Sequence, residues 1–388
     1  MKKLDYFLST PVRNGYSPVC TDKPTSKIIL GLGALTGAGL DLSRVKWVPE
    51  SNEQVNKFVI EAGDFLVSRS NTLDRVGRAA LYRGGLSNCS YPDLMMKFRV
   101  DEEKILPDFM ELILQSAPAR KYFMRCASGT SSTMAKITKS VVESLKIPEF
   151  PLSKQREIAK IARTWHNAIE KTESLIAAKE NQFEWLKYKI LKNVEQHADT
   201  KRVRLGELLK YEQPTKYIVK STNYINNGHT PVLTANKSFI LGYTNEKENI
   251  FNKCPAIIFD DFTTASKYVD FHFKVKSSAM KILLSKNDKV DMRYVYTAMS
   301  LTKLPLGGHK RYWISEYQFL DIPLPTLEIQ KEMSTSLESA QKEVKLLKKT
   351  LAKYRLQKRG LMQKLLTGEW QVKASPLTIK EKRKETNA

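Results

Sequence analysis

A segment in the middle of this chain recurs near its end in the same register. Ile147, Pro148, Leu152, Gln155 and Glu157 in IPEFPLSKQREI reappear 175 residues later as Ile322, Pro323, Leu327, Gln330 and Glu332 in IPLPTLEIQKEM. The register holds downstream, where Ala177, Gln182, Leu186, Lys189 and Leu191 face Ala352, Gln357, Leu361, Lys364 and Leu366. An internal repeat of this kind dictates architecture, because each copy must fold the same way. Each copy reads as a proline-fixed extended linker feeding a long helix, and neither Pro nor Gly interrupts 157–191. As a helix that stretch spans about 50 Å. In the second copy, spacings of three and four run through Leu337, Ala340, Val344, Leu347, Leu351, Tyr354, Lys358, Leu361 and Leu365, a coiled-coil seam. The same seam in the first copy is Ala162, Trp165, Ile169, Thr172, Ile176, Lys179, Phe183, Leu186 and Ile190. One such stripe describes any amphipathic core helix; two in matching register predict that the helices pack on each other. Trp165, Ile169, Ile176, Phe183 and Leu186 are expected to meet Val344, Leu347, Leu351, Tyr354 and Leu361.

The repeats divide the chain into five parts: 1–146, a linker and helix at 147–202, a second block at 203–321, its linker and helix at 322–370, and a basic, disordered tail at 371–388. Both blocks open on similar amphipathic segments, Lys2–Leu8 and Val203–Leu209, and then read mostly as β. Expected strands are Lys27–Leu35, Asp64–Ser68, Ala79–Tyr82 and Leu94–Val100, then Pro231–Thr234, Ser238–Tyr243, Ala256–Asp260 and Val269–Lys276. Phe98 and Val100 lie 175 residues before Phe273 and Val275, which aligns those two strands. Each block closes on a helix, Pro107–Arg125 and Lys289–Leu301. The fold class is therefore α+β: two β-rich modules and two long helices, related by an internal repeat.

Charge narrows the partner. Sixty-four Lys and Arg stand against 41 Asp and Glu, a net charge of +23, which implies a polyanion, most often nucleic acid. The four cysteines, Cys20, Cys89, Cys126 and Cys254, form no close pair, so neither a disulfide scaffold nor a zinc ribbon is expected and a reducing cytoplasm suits the chain. No apolar run is long enough for a membrane helix. Catalytic signatures are weak. The glycines of GLGALTGAG lack dinucleotide-loop spacing, no phosphate-binding GxxxxGK[ST] occurs, and no amino-methyltransferase [ND]PP[YF] occurs. Asp93 with Glu102, Glu103 and Lys104 is a nominal nuclease pattern, better read as ordinary charge at a strand end. His166, His197, His229, His272 and His309 lack metal-ligand spacing, and no metal site is expected.

What remains suits DNA. Arg69, Asn71, Arg75, Arg78 and Arg83 crowd SRSNTLDRVGRAALYRG with Asp74 as the one acidic residue. Guanidinium forks take guanine edges or phosphates, whereas the plainer reading is a solvated charged loop. Thr130, Ser131, Ser132 and Lys136, after Gly129, offer hydroxyls and a cation for phosphate. In the second block Thr263, Thr264, Lys267 and Tyr268, then Lys310 and Arg311, hold comparable places, with turn capping as the plainer alternative.

Together these segments resemble the specificity subunit of type I restriction–modification enzymes over nearly the whole chain. GDFLVSRS…VGRAAL (63–80), ASGTSS (127–132), the paired IPxxPLxxQxEI and IPLPxLxxQxEM segments, and LMQKLLTGEW (361–370) carry the likeness. The second block departs from it, with GGHKRYWIS (307–315) where a GTSS copy is expected. The resemblance implies that 1–146 and 203–321 are target recognition domains, each reading half of a split DNA site, and that the long helices run antiparallel between them. It implies a non-catalytic, cytoplasmic subunit that binds double-stranded DNA and directs two modification (methyltransferase) subunits and the restriction (motor-nuclease) subunits. S-adenosylmethionine, ATP and Mg are then held by those partners and no cofactor by this chain. A stand-alone methyltransferase, or a combined cutting and modifying enzyme, is the alternative destination. Because the loops of the two blocks differ, the site should be asymmetric. Module centres near one DNA turn, about 34–36 Å, leave an unread gap of roughly 5–8 bp.

Overall fold

The computed structural model describes residues 1–129, 134–235, 238–302 and 311–372. The expected tail falls almost wholly outside them. The chain divides into two compact units, Met1–Lys171 with the segment from Leu351 onward, and Thr172–Thr350. Each unit holds one β module and a part of each long helix.

In the first unit the strands are β1 (Lys2–Lys3), β2 (Leu8–Asn14), β3 (Lys27–Leu30), β4 (Val45–Val48), β5 (Phe65–Ser68), β6 (Ser70–Asn71), β7 (Ala79–Leu81), β8 (Cys89–Ser90), β9 (Met95–Val100), β10 (Ala135–Lys136) and β11 (Lys146–Ile147). A four-stranded antiparallel sheet runs β2-β9-β5-β7, and a three-stranded sheet β4-β3-β8 has its β3–β8 pair parallel. Helices α1 (Pro107–Gln115), α2 (Ala117–Cys126) and α3 (Lys139–Glu143) cover the first sheet, burying Phe65, Phe98, Phe109 and Phe123. The long helix α4 (Leu152–Glu195) follows Pro148 and Pro151.

The second unit repeats this plan. Its strands are β12 (Lys201–Arg204), β13 (Leu209–Glu212), β14 (Thr230–Leu233), β15 (Ile240–Thr244), β16 (Ala256–Asp260), β17 (Ser266–Val269), β18 (Lys274–Val275), β19 (Met280–Ser285) and β20 (Asp321–Leu324). The sheets run β13-β19-β16-β17 and β15-β14-β18, again with one parallel pair, β14–β18. Helices α5 (Leu205–Leu208), α6 (Met292–Leu301), α7 (Tyr312–Ser315) and α8 (Leu327–Leu366) complete it. Phe259 packs edge-on against Trp313 and Tyr317 in its core. In both units the incoming strand pairs with the strand before the long helix, β1 with β11 and β12 with β20. The next amide repeats the match: Leu4 N–H donates to Leu145 O and Leu205 N–H to Leu320 O, both at 2.9 Å.

Four expectations are corrected. The strand expected over Lys27–Leu35 stops at Leu30, and Leu32–Ala34 form a short 3-10 helix instead. The helix expected over Pro107–Arg125 is two, because Ser116 adopts an extended conformation and caps a new helix through its hydroxyl, with Pro118 in the first turn. The strand expected over Val269–Lys276 is also two, β17 and β18, which belong to different sheets. The alignment of Phe98 and Val100 with Phe273 and Val275 fails as well. By sheet position the counterpart of β9 is β19, not β18, so the exact offset of the linkers does not extend into the modules.

All eighteen seam positions, nine per helix, are buried or half-buried. Within the first unit Trp165 meets Tyr354 edge-on at 5.8 Å, and Ile158 shares a core with Leu365. Within the second, Phe183 and Leu186 line a gap with Ala340, Lys179 pairs with Glu343 at 2.9 Å, and Leu191 and Val194 share a core with Met333. In each unit the partner number falls as the other rises, so the paired segments run antiparallel. Helix α8 closes at Gly368, whose φ of +77° turns the chain back so that Trp370 N–H reaches Lys364 O.

Candidate nucleic-acid interface

The candidate loops of the first module lie at the Ser68 end of its four-stranded sheet. Strand β5 leaves the sheet there, and the chain returns along β7 at Ala79. The loop between them is pinned from below. Arg120 on α2 donates to the carbonyls of Val76 (2.7 Å) and Asp74 (3.1 Å). Gly77 takes a φ of +69° where a Cβ would strike the Phe123 ring. Around Asp74 the Thr72 hydroxyl, and then Arg78 and Arg75, hold the carboxyl below its ordinary pKa. The strand β10 lies antiparallel on β6, pairing Ala135 with Asn71 and Lys136 with Ser70. Ile137 N–H donates to Arg69 O at 2.9 Å. Arg69, Asn71, Arg75 and Lys136 are thereby gathered at one edge, with Arg75 and Lys136 exposed.

Several predicted residues of this module have partners inside the fold. Arg69 Nη1 donates to Asp93 O at 3.2 Å, and Asn71 Oδ1 accepts from Thr72 N–H at 2.9 Å. Arg78 donates to Thr36 O at 2.9 Å and lies under Gly37, bracing a neighbouring loop. Arg83 belongs to the opposite end of the sheet, where its fork is taken by Asp108 (2.8 Å) and the buried Glu111 (2.6 Å) of α1. Thr130, Ser131, Ser132 and Lys310 lie outside the described residues.

The second module builds the same edge from different residues. Strand β16 ends at Asp260, whose Oδ1 accepts the amides of Phe262 (3.0 Å) and Thr263 (2.8 Å), and Thr264 takes a φ of +58°. Tyr312 N–H then donates to Asp261 O at 3.0 Å, the counterpart by strand register of the Ile137 to Arg69 bond. Asp261 also accepts from Trp313 N–H at 2.8 Å and pairs with the buried Lys281. Thr263, Thr264 and Arg311 are thus brought together, Thr263 and Arg311 exposed. Lys267 and Tyr268 lie farther along β17. The Tyr268 ring sits under the Arg293 guanidinium at 4.3 Å, and burial pushes its phenol pKa up, so it serves as packing against α6.

Sequence reasoning overlooked the apolar tips. Leu73 in the first loop and Phe262 in the second are 45% and 53% exposed on backbones that Arg120 and Asp260 hold in place. A single large apolar residue inside a polar, turn-rich segment was the available signal. Among the described residues no group of His, Cys, Asp and Glu is placed to hold a metal, and no helix is long and apolar enough to cross a membrane.

Two segments, 12–179 and 198–353, match the sequence model of the type I restriction modification DNA specificity domain. The chain belongs to that family. It is 24% identical to a putative type I MjaX specificity subunit of Methanocaldococcus jannaschii over 93% of this chain and 91% of the relative. It is 51% identical to the EcoR124I/EcoR124II specificity subunit of Escherichia coli over 34% of this chain and 36% of that protein. In fold it resembles the S subunit of a type I restriction-modification system from M. genitalium, with a TM-score of 0.59 at 14% identity across 97% and 96% of the two chains. The alternative of a stand-alone or combined cutting and modifying enzyme gains no support from these relatives.

Proposed function

We propose that the two loop edges each read one half of a split, asymmetric DNA site. The chain is a non-catalytic DNA specificity subunit of a type I restriction–modification system. The observation that carries the division of labour is the recurrence of one edge in both modules. The same sheet end and the same backbone bond onto the residue after the strand, Ile137 to Arg69 and Tyr312 to Asp261, present unlike side chains. Arg69, Asn71, Arg75 and Lys136 supply forks, an amide and a cation for guanine edges, adenine and phosphate in the first half-site. Thr263, Thr264 and Arg311 serve the second, and Leu73 and Phe262 add apolar contact to thymine methyls. Modification and restriction subunits are the partners, S-adenosylmethionine, ATP and Mg reside on them, and the complex works in the cytoplasm on double-stranded DNA. The test exchanges residues 9–146 for the corresponding module of a relative and maps methylation across a genome. One half-site should change while the other half and the spacer persist. A continuous or palindromic target, or a change in both halves, overturns the reading.

A further inference from the structure

Gln155 and Gln330, the fourth residues of α4 and α8, are each 1% exposed and each make the same three hydrogen bonds. Gln155 Oε1 accepts from Leu106 N–H at 2.8 Å, and its Nε2 donates to Lys104 O at 3.2 Å and Phe150 O at 2.8 Å. Gln330 Oε1 accepts from Asp291 N–H at 2.9 Å, and its Nε2 donates to Lys289 O at 3.3 Å and Pro325 O at 2.9 Å. Three pieces of backbone therefore meet on one amide: the residues that open α1 or α6 of the module, the proline linker, and the first turn of the long helix. A buried carboxamide uses both donors and its acceptor only when all three pieces hold one relative position. Filling space does not require such a set: an apolar side chain of equal length would occupy the volume but leave the Leu106 or Asp291 N–H unmatched, so the amide acts by joining the three pieces.

We infer that Gln155 and Gln330 are positioning residues that lock each recognition module to its own long helix and so set which spacer length the protein accepts. The inference rests on the split-site reading above. One base pair more or less moves a half-site by about 3.4 Å along the duplex and turns it about the axis, so only a module held rigidly on its helix rejects it. Each lock has a secondary tie of unequal quality. In the second unit Ser334 donates to Asp291 at 2.6 Å, and both are sheltered; in the first, Arg163 pairs with Asp108 near the surface. Loss of the first lock should therefore loosen its module more.

The test measures methylation by the reconstituted specificity and modification complex on duplexes carrying the mapped target with its natural spacer and with one base pair added or removed. Wild type should prefer its own spacer by about tenfold or more, the scale of one mismatched base pair. Gln155→Met should cut that preference to about threefold or less while leaving the preference for each half-site sequence intact. Gln330→Met should do the same more weakly. Val142→Ala, which thins the same buried core away from the lock, controls for lost stability and should keep the wild-type spacer profile. If Gln155→Met fails to assemble, Gln155→Glu keeps the length and an acceptor, loses one donor when protonated and both when ionised, and should still relax the spacer. Lower stability with an unchanged spacer profile in the glutamine variants overturns the inference. A wild-type complex indifferent to spacer length instead overturns the split-site reading, so the two failures are told apart.

Discussion

The loop after β5 and the loop after β16 occupy the same place in the two modules and are held from beneath by opposite charges. In the first, the backbone turns carbonyls inward, and a cation, Arg120, meets those of Asp74 and Val76. In the second, the backbone turns amides inward, and a carboxylate, Asp260, meets those of Phe262 and Thr263. The brace follows the polarity of the buried backbone, because inward-facing polar groups left unmatched cost about 1–3 kcal/mol each. What faces outward is free to differ: guanidinium and amide groups in one, hydroxyls and a phenyl ring in the other. A common frame with interchangeable tips lets one architecture present two unlike surfaces. It also means that grafting one tip onto the other frame requires its brace to travel with it.

Changes to the frame should cost stability and spare specificity, and changes to the tips should do the reverse. The largest effect belongs to the helix seam. Ile176→Asp or Leu347→Asp puts a charge among apolar neighbours and should lower stability by about 3–5 kcal/mol, read in thermal or denaturant unfolding. Unchanged unfolding would place the stripe against solvent or another subunit. Next, if binding neutralises about six phosphates, affinity should fall roughly 10³-fold between 50 and 200 mM salt, and a flat profile would assign the charge to a protein partner. Smaller still, Arg75→Ala and Phe262→Ala should each weaken discrimination by about 1–3 kcal/mol, the first in one half-site only and the second in the other. Selection of bound sequences from a randomised pool reads this directly, and loss spread over both halves would break the assignment.

The smallest effect concerns Lys358, a seam position whose ammonium is pushed below its ordinary pKa by burial. A lysine with a depressed folded pKa sheds its proton first in the folded state, so stability should rise with pH from that value up to about 10.5, the ordinary one. Lys358→Met should remove that rise and stabilise the protein by about 1 kcal/mol near neutrality, a shift of roughly 2–4 °C in Tm.

Parts of this design could be read from residues alone. The prolines at 148, 151, 323 and 325 and the long stretches after them, broken only by Gly360, announce α4 and α8, and the seam follows from spacing. Strand β16 has the expected bounds because an apolar run meets turn residues sharply at both ends. The strands β2, β4 and β19 escaped notice, and the second of these, VKWV, alternates too briefly to stand out. The candidate loops were legible as charge and hydroxyl clusters. Which of their residues are spent inside the fold was not: the buried carboxylate of Glu111 claims Arg83, and Arg293 with Tyr296 claims Tyr268, through contacts distant in sequence. Braces such as Arg120 and Asp260 resemble any other charged residue until the backbone they meet is known.

The pairing of β1 with β11, and of β12 with β20, has a consequence for how such chains diversify. Each module begins and ends on two adjacent strands, so its chain enters and leaves through one two-stranded stem beside the long helix. Recombination that crosses over within both strands of a stem delivers an entire foreign reader and leaves the ladder of backbone bonds, which is indifferent to side-chain identity, able to close again. Such an exchange moves one module whole and leaves the other module untouched.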